Sequence, residues 1–101
     1  MSEQLPNQAS FQFDENINCG EKQIILNSDE IGMLHAQMDD PKGKFDIIIE
    51  DSAGNPQYTK RGCFNPTGRW GERINLPVID SYYKIRLENV SGCKSVNVFV
   101  E

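Results

Sequence analysis

The chain has 101 residues, 38% of them hydrophobic, and sets 15 acidic side chains against 10 basic ones for a formal charge of −5. That length supports one domain, whose folding removes about 65% of the unfolded surface, so a single core suffices without metal or disulfide staples. The acidic balance argues against nucleic acid or an anionic membrane as partner, because both require a basic face.

Residues 1–10 are polar with one proline and read as an arm or first edge strand ahead of a single domain over 11–101. The stretch has neither a basic end nor an apolar run, so no signal peptide is read there. No segment reaches the ~20 apolar residues of a membrane span, and the cytoplasm or a virion is the expected setting. Phe11 and Phe13 alternate and suit pairing at a sheet edge. Residues 23–26, Gln-Ile-Ile-Leu between Cys19-Gly20 and Asn27-Ser28-Asp29, suit a buried strand.

Residues 29–38 carry two patterns. Ser28 caps a helix if Ile31, Leu34, His35 and Met38 form its apolar stripe. As a strand, Leu34, Ala36 and Met38 alternate with Ile31, Met33 and His35. Gly32 weakens the helix by about 1 kcal/mol, and the β pattern on either side favours the strand.

Asp40-Pro-Lys-Gly43 reads as a turn. The strand after it puts Phe45, Ile47 and Ile49 on one face and Asp46, Ile48 and Glu50 on the other. The Asp-Ser-Ala-Gly-Asn-Pro run at 51–56 is a hairpin connection, residues 57–61 return, and 62–71, with three glycines and a proline, read as a loop. Residues 73–78 turn Ile74, Leu76 and Val78 inward, and Pro77 confines that strand to an edge or bulge. At the end of the chain, Tyr83, Ile85 and Leu87 face Val96, Val98 and Val100 in a hairpin with a Ser-Gly turn, leaving Tyr82, Lys84, Arg86 and Glu88 outward. Seven or eight short strands at this spacing predict an all-β fold, an antiparallel β-sandwich or jelly roll.

The run from Gly32 to Asn55, with its Phe-Asp-apolar strand and Asp-x-x-Gly-Asn turn, together with the closing pair at 83–90 and 96–100, resembles small bacterial jelly-roll accessory domains. These are the pre-peptidase C-terminal, GOLD and galactose-binding-like domains. The resemblance implies a jelly roll that binds carbohydrate or protein surfaces, or helps to assemble larger particles. Where calcium-dependent lectins of that shape place acidic and amide ligands, this chain has Val90-Ser-Gly-Cys93, so no binding residue is carried over.

No catalytic or metal motif is read, and no cofactor is expected. His35 has no Ser/Asp pairing implied by the sequence. Asp39-Asp40 opens a turn before Pro41, and Asp46, Glu50 and Asp51 fall on solvent-facing positions. Cys19, Cys63 and Cys93 form no Cys-x-x-Cys pair, and with one histidine they leave no zinc site. Three reduced thiols are the simpler expectation, with one disulfide plus one free thiol as the alternative. Cys63, between Arg61 and Arg69, is the one candidate for an activated thiol, against a structural role.

Segment 58–73 stands apart. Lys60, Arg61, Arg69 and Arg73 outweigh Glu72, the only tryptophan, Trp70, lies among them, and three glycines punctuate the run. Trp and Arg dominate binding hot spots, and arginine forks grip carboxylates and phosphates. The expected function is therefore a non-enzymatic module that recognises a glycan or an acidic surface through Tyr58, Arg61, Asn65, Arg69, Trp70 and Arg73. In the bland reading, Trp70 plugs one end of the sandwich and the arginines balance acidic neighbours. The alternative function is structural: a virion, tail or other particle component, a homo-oligomer packing through edge strands and the N-terminal arm.

Overall fold

The structure, a computed structural model, describes residues 8–25, 31–38, 40, 42–64, 70–77 and 82–100. Eight strands make it up: β1 (Gln8–Gln12), β2 (Gly20–Ile24), β3 (Ile31–Met38), β4 (Lys44–Asp51), β5 (Pro56–Phe64), β6 (Trp70–Pro77), β7 (Tyr83–Ser91) and β8 (Ser95–Val100). They form two four-stranded antiparallel sheets, in the orders β1-β8-β3-β6 and β2-β7-β4-β5.

Four of the pairings are nested: β4 with β5, β3 with β6, β2 with β7 and β1 with β8. The chain is thus one long hairpin, closed at Asp51–Asn55 and wrapped so that successive pairs fall in alternate sheets, which is a jelly-roll topology. The tip is sequence-determined. Asp51 accepts backbone N–H groups from Ala53 at 3.0 Å and Asn55 at 2.9 Å, and Gly54 supplies the φ of 88° that the turn requires.

The core is the row of inward side chains from both sheets. Phe11, Leu34, Ala36, Met38, Ile74, Leu76, Val96 and Val98 come from one sheet, and Ile24, Phe45, Ile47, Ile49, Tyr83, Ile85 and Leu87 from the other. Residues 31–38 are strand, not helix; β3 lies between β8 and β6, so ladder bonds on both sides outweigh the competing helical stripe.

Three sequence expectations are corrected. The last two strands are not a hairpin: β7 pairs with β2 and β4, β8 with β1 and β3, so Ser91-Gly92 carries the chain between sheets. Tyr83, Ile85 and Leu87 face Val96 and Val98 through the core. Alternating burial is the same for strands stacked face to face and strands lying side by side. The second strand lies at 20–24 instead of 23–26, and exposes Glu21, Lys22 and Gln23 at a sheet edge; Leu26 lies outside the described residues. Residues 62–64 and 70–71 belong to β5 and β6, not to a loop. Of the segment 1–10, expected as an arm or a first edge strand, residues 8–10 are edge strand, in β1, and residues 1–7 lie outside the described residues.

Candidate functional site

Of the six residues expected to bind ligand, the four that the structure describes are distributed over three surfaces. Asn65 and Arg69 lie outside the described residues. Tyr58 and Trp70 point into the seam where edge strands β5 and β6 of the two sheets meet. Tyr58 sits opposite buried Ile49 and Trp70 opposite buried Met38, and both half-buried rings pack against the core. The Trp70 ring meets Phe45 edge-on, with centroids 5.1 Å apart. Lys60 and Glu72 close the seam with a 2.8 Å ion pair, and that bond raises the lysine pKa. Burial, with the Glu72 carboxylate second, raises the Tyr58 pKa. Inward-turned charge on an edge strand also disfavours pairing with stray strands.

Arg61 follows Lys60 and therefore emerges on the opposite face of β5. Its guanidinium lies 3.2 Å from Asp46 and 4.0 Å from Glu88. Asp46 sits between two bulges. Against β5 it faces the extra pair Arg61-Gly62, and in β7 the extra residues are Asn89 and Val90. Gly62 and Asn89 adopt the left-handed φ values of 70° and 52° that these bulges use. The Asp46 carboxylate accepts Asn89 Nδ2 at 2.9 Å and the Gly62 N–H at 2.8 Å; these two bonds, with Arg61 beside them, lower its pKa. Arg86, 3.1 Å from Glu50 and 2.9 Å from Glu88, extends the lattice over Ile48, which is buried despite its outward register. The outer face of β2-β7-β4-β5 is thus a mutually neutralised charge lattice. Two of the four cations of segment 58–73, Lys60 and Arg61, are consumed in ion pairs on different sides of one strand.

Arg73 lies on the outer face of the other sheet, in the cross-strand row Gln8, Phe99, His35, Arg73. The next row is Ser10, Asn97, Gln37, Gly71, with Gln12-Ser95 to one side and Asn75 to the other. Phe99 and His35 stack with centroids 5.1 Å apart. A Cβ on Gly71 would lie 3.1 Å from His35 Nε2, so the glycine leaves the imidazole its place. Among the described residues, no Asp or Glu projects from this face, on a chain with 15 acidic side chains. Strand spacing makes it about 14 Å across, with rows about 7 Å apart.

Sequence reasoning concentrated on the cation-rich segment and missed this face. Its signal was present in the outward positions of β3 and β8, where His35, Gln37, Asn97 and Phe99 alternate with buried apolar residues.

The thiols are free. Cys63 and Cys93 are buried, and burial pushes each thiol up to about 11, the reverse of what an activated nucleophile needs; Cys19 is exposed. Among the described residues, no three His, Cys, Asp or Glu side chains converge in a group that would hold a metal ion. No protein-family model matches the chain, and a comparison with curated proteins found no match.

Proposed function

We propose that the protein is a non-enzymatic recognition module, and that its ligand is a glycan, an uncharged chain rich in hydroxyls, lying on the outer face of β1-β8-β3-β6. The observation that carries this reading is the set of amides, Gln8, Gln12, Gln37, Asn75 and Asn97, around the Phe99–His35 ring pair on one face, where no carboxylate projects among the described side chains. Each Asn or Gln side chain offers two donors and an acceptor, a match for hydroxyl groups. The Phe99 ring supplies apolar area, and Arg73 stands on the same face at the β6 edge. Arg73 is the one described residue of the expected set that this site retains.

The test is calorimetric titration with neutral oligosaccharides selected on a glycan array. Phe99→Ala is expected to weaken binding about tenfold or more, equivalent to about 1.4 kcal/mol, and Gln37→Glu to weaken it similarly, while Arg61→Ala leaves it unchanged. Loss of binding in Arg61→Ala with retention in Phe99→Ala would return the site to segment 58–73.

Assembly is the second reading, favoured by one feature. The free edge of β6 follows eight residues in unbroken register with β3 and offers a row of backbone groups to a strand of another copy. Sedimentation velocity separates the two: a concentration-dependent discrete oligomer supports assembly.

A further inference from the structure

A concavity lies at one pole of the sandwich, between the turn at 14–17 and the β7–β8 crossover, and shares no lining residue with the face described above. Its volume is about 690 Å³, within the range of ligand-binding clefts. Three connections build it, and backbone bonds knit them together. Phe13 N–H donates to the Lys94 carbonyl at 2.8 Å and Val90 N–H to the Asn18 carbonyl at 3.0 Å. The Asp40 carboxylate accepts the N–H groups of Lys94 and Ser95 at 3.0 and 3.3 Å.

The floor is apolar, made by Phe13, Val90 and Cys93. At the rim stands Ile17, 49% exposed, the only large hydrophobic side chain so exposed among the described residues. The walls carry Asp14, Glu15 and Asp40 against Lys94, three carboxylates to one ammonium. An apolar floor and rim inside a net-negative wall is complementary to a side chain with an aliphatic stem and a cationic head, next to an aliphatic neighbour.

We propose that this cleft docks a basic, aliphatic segment of a partner protein, with a lysine or arginine stem over the floor, its charge toward the Asp14–Glu15 wall, and a neighbouring aliphatic side chain against Ile17. The site is separate from the glycan face, and either surface functions without the other.

The experiment is fluorescence anisotropy on the intact protein with a labelled peptide alternating lysine and leucine. Control probes are the same peptide with glutamate for lysine, and spermine. The lysine peptide is expected to bind, with affinity falling as salt rises from about 20 to about 200 mM through screening. The glutamate peptide is expected not to bind, and spermine to bind at least tenfold more weakly. Glu15→Lys and Ile17→Ser, both exposed positions, are each expected to weaken the lysine peptide about tenfold without lowering the melting temperature. No binding up to millimolar peptide, equal binding of the glutamate peptide, spermine as tight as the peptide, or unchanged affinity in both variants would each overturn the proposal.

Discussion

Asp46 and Asn89 are 43 residues apart in sequence, yet the 2.9 Å bond between their side chains fastens the β7 bulge to the strand beside it. The same carboxylate takes the Gly62 N–H of the β5 bulge, so one side chain fixes irregularities on both flanks of β4. Asp46→Ala is expected to cost about 1.5–3 kcal/mol, the range for hydrogen bonds to a charged group, and to unfold at lower denaturant. Asp46→Asn keeps an acceptor oxygen and is expected to cost less.

The same contacts set an acid limit. The folded-state pKa of Asp46 lies below its unfolded value of about 3.9, so its contribution is complete above that value and is lost as pH falls through the folded pKa. Asp51, whose pKa is lowered first by the Asn55 N–H, acts in the same sense. Urea midpoints are expected to be flat with respect to these groups above about pH 5 and to fall below pH 4, less steeply in Asp46→Asn.

Trp70 supports the sandwich from the side. With its ring against Phe45, Trp70→Ala is expected to cost about 2–3 kcal/mol, below the range for a fully buried aromatic. A thermal melt unchanged within a degree would show the ring to be dispensable for folding and return it to the ligand-binding set.

Gly92 carries the crossover between sheets at φ 64°, and a Cβ there would stand 3.0 Å from the Lys42 carbonyl oxygen. Gly92→Ala is expected to destabilise by about 1–2 kcal/mol through the left-handed backbone alone. For a domain of this size each kcal/mol lowers the melting temperature by about 4–8 °C. Gly54, which has no atom within 4 Å of such a Cβ, isolates the backbone term as a control.

Thiol labelling separates the cysteines. At neutral pH, Cys19 is expected to react promptly with a maleimide, while Cys63 and Cys93 label only at the rate of unfolding. Mass spectrometry would read one adduct, then three in denaturant.

The fold was legible because period-two burial survives translation into sequence: Phe45, Ile47 and Ile49, or Tyr83, Ile85 and Leu87, sit where alternation puts them. Which strands pair was not legible. The outward and inward rows of β7 and β8 read identically whether the strands bond or stack, and nested pairing depends on contacts far apart in sequence. How the candidate site residues distribute over the surface was not legible for a related reason. Lys60 and Arg61 look like one basic patch in a linear count, but successive strand residues leave on opposite faces, and Gly62 serves a bulge. The amide-lined outer face required knowing that β1, β3, β6 and β8 are neighbours, information carried by no local segment.

The adjacency of β1 and β8, with Gln8 opposite Phe99, has a mechanical corollary. Tension applied through the first and last strands opens that ladder bond by bond, like a zipper, so the molecule should yield at low force. A peptide linker joining the two ends, with a new opening between Ser52 and Asn55 at the tip of the long hairpin, should give a circularly permuted chain with the same two sheets.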